Sequence, residues 1–175
     1  MVILITGASH AGKTLLAQKL LEKLRYPCLS IDHLKMGLIR SGQTHLTPED
    51  DEALTDYLWP IVREIMKTAI ENRQNLIVEG CYVPFRWRRD FDEGYLPHIR
   101  FICLVMTDHY IDAHFHEIRG HASDIEARIE DTDCTPDRVK AWNRSCLEGF
   151  RESGEAVTLI DGDYEGTIDA LLAGY

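Results

Sequence analysis

Short apolar runs alternate with longer amphipathic stretches along the whole chain. The apolar runs predict five strands, over residues 2–6, 28–31, 76–79, 99–105 and 156–160. Between them, apolar residues recur every three or four positions, which predicts helices. These helices are expected over residues 13–24, 32–40, 47–69, 108–119, 135–152 and 167–172. Strands that alternate with helices in this way are typical of a parallel sheet covered by helices on both faces.

Particular residue types refine two of these helices. Thr47-Pro48-Glu49-Asp50 places a threonine at the N-cap, a proline at the first helical position and acids in the first turn. Thr135-Pro136-Asp137 starts another helix. Pro60 lies inside the third predicted helix. Because proline lacks an N–H, we expect it to kink that helix or to split it in two.

The composition is that of an ordinary globular domain. The chain has 175 residues, of which 45% are hydrophobic and 27% charged, so disordered and fibrous classes are excluded and residues 1–175 are interpreted as one domain. Met1 is followed at once by apolar residues, without a basic region or a cleavage site, which predicts a strand rather than a signal peptide. No apolar run approaches the roughly 18–20 residues that cross a bilayer. We therefore expect a cytoplasmic protein with no membrane partner.

The five cysteines agree with a reducing compartment. They form no C-x-x-C pair and their number is odd, so we expect them to be reduced and to bind no zinc. They are Cys28, Cys81, Cys103, Cys134 and Cys146.

The charge is unevenly distributed between the two halves of the chain. The net charge is −10, yet residues 1–90 carry 12 Lys and Arg against 11 Asp and Glu, whereas residues 91–175 carry 7 against 18. An acidic surface disfavours an extended nucleic acid, which binds basic surfaces. The nearly neutral first half still leaves room for a small anionic ligand.

The sharpest motif is Gly7-Ala8-Ser9-His10-Ala11-Gly12-Lys13-Thr14, which matches the Walker A pattern G-x-x-x-x-G-K-[ST]. It follows an apolar strand and opens a helix, where backbone N–H groups can surround the phosphates of ATP. We expect all eight residues to bind these phosphates, with Lys13 at the β- and γ-phosphates and Thr14 at Mg²⁺. His10 occupies a variable position and is expected to pack or hydrogen-bond locally.

Two carboxylates follow the second and third predicted strands. The chain lacks the guanine-specifying N-K-x-D motif of GTPases, and its third predicted strand ends in Val78-Glu79-Gly80, without the aspartate of the switch proteins, which favours a small-molecule kinase. Asp32 and Glu79 come at the carboxyl ends of their strands, the edge at which open parallel sheets bind ligands. Asp32 is the favoured general base, and Glu79 either holds Mg²⁺ or is itself the base. The alternative is that each acid only caps or opens a helix.

Together, the Gly7–Thr14 loop, Asp32-x-x-Lys35 and Glu79-Gly80 resemble the nucleoside/nucleotide kinase group of P-loop proteins. This group includes adenylate-kinase-like, shikimate-kinase-like, chloramphenicol-phosphotransferase-like and zeta-toxin-like enzymes. The resemblance implies a three-layer α/β fold with a five-stranded parallel sheet in the order 2-3-1-4-5. It also implies a helical substrate insert at about 32–73 and a lid at about 119–135.

The same resemblance implies roles for two residues, and it has limits. Asp32 matches a catalytic aspartate of chloramphenicol-phosphotransferase-like and polynucleotide-kinase-like members, and Lys35 stands where adenylate kinases carry an arginine. After the third strand, residues 79–86 read EGCYVPFR instead of the D-G and F-P-R of adenylate kinases. This departure disfavours a mononucleotide acceptor. The chain is also similar to small bacterial proteins labelled 2-phosphoglycerate-kinase-like, a label that fixes no substrate.

Several cations are expected to contact the acceptor or the transferring phosphoryl group. Lys35, Arg40 and Arg86 are the predicted acceptor contacts, since guanidinium groups bind anions in a forked geometry. Arg119 and Arg128 in the lid are expected to reach the phosphoryl group. The alternative interpretations are a solvated basic turn beside Asp90, Asp92 and Glu93, and a surface helix with acid–base pairs.

These features favour an ATP- and Mg²⁺-dependent phosphotransferase. It would act on a hydroxyl or phosphate of a small, anionic metabolite, as a monomer or a homodimer. Two other functions stay open. One is a kinase of nucleotides or of nucleic-acid 5′-hydroxyls, and the other is a nucleotide-binding regulatory protein without turnover.

Overall fold

Five parallel strands form the central sheet of the computed structural model, which describes residues 1–120 and 134–175. The strands are β1 (Val2–Gly7), β2 (Cys28–Ser30), β3 (Leu76–Glu79), β4 (Ile99–Met106) and β5 (Thr158–Ile160). They lie in the order β2-β3-β1-β4-β5, and every neighbouring pair is parallel. The predicted fold class and strand order are confirmed.

Helices cover both faces of this sheet. They are α1 (Lys13–Leu24), α2 (Ile31–Arg40), α3 (Asp51–Glu71), α4 (Asp108–Gly120), α5 (Pro136–Glu152) and α6 (Tyr164–Ala173). Two short 3₁₀ helices, Trp87–Asp90 and Leu96–His98, precede β4. Alternate residues of β1 point to opposite faces, so Val2 and Leu4 pack with α2 and α3 while Ile3 and Ile5 pack with α1 and α6. The result is three layers with two hydrophobic cores.

The start of α3 differs from its prediction. Thr47 does not cap the helix, because its backbone N–H and its hydroxyl both donate to the Asp50 carboxylate, at 2.8 and 2.9 Å. The Asp50 N–H in turn donates to the Thr47 carbonyl, at 3.1 Å. Residues 47–50 therefore close a turn of their own, and the helix begins at Asp51.

Of the two predicted outcomes at Pro60, a kink or a split, the split does not occur, because α3 is one helix on both sides of the proline. The helix runs from Asp51 to Glu71 with Pro60 inside it. Buried residues on both sides of the proline, among them Leu58 and Val62, hold the two halves on the same core. The carbonyl that loses its partner belongs to Asp56, which is exposed, so water can replace the missing N–H.

Two other helix starts depend on side-chain caps. The Thr135 hydroxyl accepts a hydrogen bond from the Arg138 N–H at 3.3 Å, which confirms the predicted start of α5. Asp163 accepts from the Gly166 N–H at 2.8 Å, so α6 begins at Tyr164, earlier than the predicted residue 167. Asp163 was available as a cap in the sequence, but the pattern of apolar residues alone did not reveal it.

The structure also shows the state of the cysteines and the length and character of the helices. All five cysteines are free thiols, as predicted. Cys103 and Cys146 approach each other most closely, with their sulfurs 4.0 Å apart. Within residues 1–120 and 134–175, no helix combines the length and the apolar character that crossing a bilayer requires.

Candidate functional site

The Gly7–Thr14 segment forms a tight loop between β1 and α1. Gly7 has φ +134°, and a Cβ there would lie 2.0 Å from the carbonyl oxygen of Leu104 on β4. Gly12 has φ +84°, and a Cβ there would lie 1.8 Å from the Tyr164 hydroxyl. Both positions therefore need glycine for their backbone conformation and for space. This is the role that the motif assigns to its two fixed glycines.

The loop leaves the start of α1 available to an anion. Gly12 is the N-cap residue and no side chain caps the helix, so the positive end of the helix dipole faces the loop. The Lys13 ammonium arches back over the loop and donates to the Ala8 carbonyl at 2.7 Å. Only 6% of Lys13 is exposed. This arrangement can hold phosphate oxygens between backbone N–H groups and one fixed cation.

His10 contacts a residue that is distant in sequence. It adopts a left-handed conformation with φ +65°, and its Nε2 lies 3.7 Å from the sulfur of Cys134. Cys134 comes just before α5, so the contact joins the loop to the helix that follows the predicted lid. This contact is therefore long-range, whereas the sequence analysis expected a local one.

Glu79 and Thr14 bring two oxygen ligands together beside the loop. Glu79 ends β3 opposite Ile5 of β1 and Ser30 of β2, and only 1% of it is exposed. The Thr14 hydroxyl donates to Glu79 Oε2 at 3.4 Å. Mg²⁺ is commonly held by one or two protein oxygens together with water and substrate phosphates, so this pair fits it. The described residues contain no cluster of three His, Cys, Asp or Glu side chains that could hold a metal by themselves.

Asp32 lies in the first turn of α2 and belongs to a network of four side chains. Its carboxylate is 2.9 Å from the Lys35 ammonium. That ammonium also donates to the Tyr82 hydroxyl at 2.8 Å, and the hydroxyl donates to Asp51 Oδ1 at 3.2 Å. The network joins α2, the segment after β3 and the start of α3. Tyr82 and Asp51 were not predicted, because only the fold brings them to Lys35.

Neighbouring strand ends place the two predicted carboxylates on one side of the loop. Because β2, β3 and β1 are adjacent, Asp32 after β2 and Glu79 on β3 stand at the same sheet edge as the loop after β1. Burial lowers the pKa of Lys13, but a hydrogen bond to the Cys81 sulfur and attraction from the Glu79 and Asp32 carboxylates outweigh it, so the pKa is raised overall. The Lys13 ammonium is therefore charged at neutral pH.

The surroundings of Cys81 and Lys35 also shift the pKa values of these two groups. Crowding around the sulfur raises the pKa of the Cys81 thiol, and so do the charges of Asp32 and Glu79. Burial alone would lower the pKa of Lys35, but its bonds to Tyr82 and Asp32 raise it. A neutral thiol thus lies near the loop, while the ammonium of Lys35 persists.

The basic cluster after β3 contains three exposed arginines, of which Arg88 is paired. Arg88 forms a two-point pair with Glu155, with Nη2 and Oε2 3.0 Å apart, and its guanidinium lies 4.6 Å from the centre of the Trp87 ring. Arg86 and Arg89 are exposed. Asp90 does not pair with them, because it accepts a hydrogen bond from Trp59 at 2.7 Å.

Two of the remaining predicted cations lie at the ends of helices. Arg40 is exposed in the last turn of α2, and Arg119 is exposed in the last turn of α4. Arg128 lies outside the described residues. The helices that flank that segment are joined by Arg144 of α5, whose Nε is 3.0 Å from the Asp108 carboxylate of α4.

Tyr164 is a loop neighbour that the sequence did not reveal. It opens α6, and its hydroxyl lies where a side chain on Gly12 would project. Burial raises the pKa of this hydroxyl to about 12, so it is neutral at physiological pH. The loop before α6 is tied to β4 by Thr107, whose hydroxyl donates to Asp161 at 2.5 Å. The Tyr164 side chain therefore lies against the phosphate loop at Gly12.

A family model described as an AAA domain matches residues 2–108. No curated protein matches the chain in sequence. Among solved structures, a candidate kinase from Chloroflexus aurantiacus is 18% identical with a TM-score of 0.58, covering 99% of this chain and 94% of its own. A sugar kinase from Janibacter is 18% identical with a TM-score of 0.56, covering 98% and 92%. A deoxyadenosine kinase from M. mycoides is 15% identical with a TM-score of 0.57, covering 99% and 98%.

At identities of 15% to 18%, the likeness to these structures shows the fold alone. It spans nearly the whole length of each chain, so the chain has the P-loop kinase fold that the resemblance implied. The 2-phosphoglycerate-kinase-like label stays a prediction.

Proposed function

We propose, for a chain that belongs to the AAA domain family and has the P-loop kinase fold, that it transfers the γ-phosphoryl group of ATP to a hydroxyl of a small molecule. One observation carries the proposal. A phosphate loop with a buried lysine stands beside two carboxylates, Asp32 and Glu79, at one edge of the sheet. A nucleotide-binding site without turnover needs the loop and its lysine but no general base such as Asp32.

In this proposal the loop residues 7–14 hold the triphosphate. Phosphate oxygens replace the Ala8 carbonyl as the partner of Lys13, whose charge then lies at the β- and γ-phosphates. Thr14 and Glu79 would hold Mg²⁺, which neutralises charge on the phosphates when it is bound. The buried position of Glu79 keeps its carboxylate directed at the loop.

Asp32 is the proposed general base. Its carboxylate takes the proton of the acceptor hydroxyl as the hydroxyl oxygen bonds to the γ-phosphorus, and the bond from phosphorus to the β–γ bridging oxygen breaks to release ADP. With 35% of its side chain exposed, Asp32 is open to a substrate. Arg119 and Arg128 are proposed to approach the phosphoryl group when the lid closes.

The first test measures ATP binding by calorimetry. Lys13→Ala is expected to abolish measurable binding because it removes the cation from the phosphate site. Lys19→Ala is the matched control, since Lys19 lies on the same helix and pairs with Glu165 on the surface at 3.3 Å. Equal affinity in wild type and Lys13→Ala would refute the loop assignment.

The second test separates turnover from binding. Consumption of ATP is screened with sugars, polyols, nucleosides and their phosphate esters as acceptors. Asp32→Asn is expected to bind ATP normally and to transfer at least about 100-fold more slowly, the effect of losing a general base. Full transfer by this variant would give the base role to Glu79. ATP binding without transfer to any acceptor would support the regulatory alternative.

A further inference from the structure

Lys35 was expected to bind the acceptor, but its ammonium is already bonded to neighbouring side chains. Lys35 has three N–H donors, of which one meets Asp32 at 2.9 Å and another meets the Tyr82 hydroxyl at 2.8 Å. The ammonium also lies 5.0 Å from the centre of the Tyr82 ring, a favourable position for a cation. Only 12% of the Lys35 side chain is exposed. Lys35 is therefore held within the protein rather than extended toward a ligand.

Tyr82 fixes this arrangement from the other side. It is buried, with 5% of its surface exposed, and its hydroxyl accepts from Lys35 while it donates to Asp51. Because a hydroxyl has one hydrogen to donate, the bond to Asp51 leaves its lone pairs directed at Lys35. Burial raises the pKa of Tyr82, so the hydroxyl keeps that hydrogen.

The charges of the network oppose an anionic acceptor. Asp32 and Asp51 contribute two carboxylates against the single ammonium of Lys35, so the group is negative by one charge. Arg40 and Arg86 are exposed and make no contact with this group. A phosphate ester beside Asp32 would face a net negative surface, whereas a neutral hydroxyl compound would not.

We propose that Tyr82 and Asp51 hold Lys35 as the fixed partner of Asp32, and that the acceptor subsite takes an uncharged hydroxyl compound instead of a phosphorylated one. The inference rests on the proposed kinase function and names the acceptor class for that same site. Tyr82 is then a positioning residue, because it acts on Asp32 through Lys35. Carbohydrates and nucleosides have the required chemistry.

The acceptor class is tested with matched pairs of compounds. Each pair contains a neutral hydroxyl compound and its phosphate ester, such as glucose with glucose 6-phosphate, and adenosine with adenosine monophosphate. We expect kcat/KM for the neutral member to exceed that for the ester by at least about 10-fold, as for two like charges brought close together. Preference for the ester in the pairs that react would overturn the inference and leave the kinase function standing. Transfer to neither member of any pair would also count against it.

The positioning role is tested with Tyr82→Phe, which keeps the ring and removes only the hydroxyl. We expect kcat to fall about 10-fold, the effect of losing a hydrogen bond to a charged group, with KM for ATP unchanged. Tyr57→Phe is the matched control, since it removes a tyrosine hydroxyl outside this network, one that is bonded to the Gln43 carbonyl at 3.1 Å. Equal kcat in both variants would contradict the role of Tyr82.

A double variant separates positioning from folding. Because Tyr82 is proposed to act through Lys35, Tyr82→Phe should add little once Lys35→Met is present. Additive losses in kcat would show that Tyr82 does not act through Lys35. A lowered melting temperature with kcat unchanged would show that Tyr82 only stabilises the fold. If the wild-type protein did not bind ATP, the kinase function itself would be refuted. A failure of the kinase function is therefore distinguishable from a failure of the Tyr82 role.

Discussion

Replacing Gly7 by alanine should damage both the fold and the phosphate loop. The added Cβ would lie 2.0 Å from the Leu104 carbonyl oxygen and 2.7 Å from the Leu104 nitrogen. Both atoms belong to the backbone of β4, which pairs with β1 in this register and accepts a bond from the Ala8 N–H at 3.1 Å. A rotating side chain could not relieve such a contact. The strand or the loop must move instead.

The magnitude follows from three contributions. Alanine at φ +134° is strained, the Cβ forces apart a packed strand pair, and the Ala8 bond to Leu104 is lost. Together these should cost about 3–6 kcal/mol of unfolding free energy. This is a large fraction of the roughly 5–15 kcal/mol that a domain possesses. ATP affinity should fall with it, because the loop amides lose their arrangement.

Urea unfolding and ATP calorimetry measure these two effects. Gly154→Ala is the matched control, since Gly154 also has a positive φ, +81°, but no atom lies within 4 Å of an added Cβ. It should cost only the backbone strain, about 1–2 kcal/mol, and leave ATP affinity unchanged. If the two variants lost equal stability, or if Gly7→Ala bound ATP normally, the contact with Leu104 would not shape the loop.

Two further predictions concern ion pairs away from the loop. Arg88→Ala leaves the Glu155 carboxylate, only 3% exposed, without its partner, and should cost about 1–3 kcal/mol in urea unfolding. Arg89→Ala, at an exposed neighbour, should change stability by less than about 0.5 kcal/mol, and an equal loss in both would contradict the role of the pair. Arg144 lowers the pKa of Asp108, so this pair stabilises the fold above the ordinary aspartate pKa and ceases to do so as pH falls through the lowered value. Between pH 5 and pH 2, the melting temperature of Asp108→Asn should therefore decrease less than that of wild type. An equal decrease in the two proteins would refute this.

The elements whose signals are local could be predicted from the sequence. The loop from Gly7 to Thr14 is one such case, because its two glycines, its lysine and its threonine act within eight consecutive residues. Thr135 is another, since an N-cap bonds to an N–H only three residues away. The apolar runs predicted the strands because buried positions of a strand carry apolar residues within the strand's own segment.

Prediction was wrong where two local signals competed, and incomplete where tertiary packing opposed a local signal. Thr47 looked like an N-cap, but Asp50 was equally suited to bond with it and closed a separate turn. Pro60 carried a helix-breaking signal, yet the core on both sides of it kept α3 continuous. The strength of such packing depends on what lies opposite, which a single segment does not contain.

By itself, the amino-acid sequence determined the strands, most of the helices and the phosphate loop, since these depend on residues close together along the chain. Only the tertiary structure decided which distant side chains meet. Tyr82 reaches Lys35 from 47 positions away, and Glu155 reaches Arg88 from 67. Such pairs form because the sheet order sets strand ends and helix ends side by side. For the same reason, the environment of Asp32, and with it the inferred acceptor class, emerged from the fold.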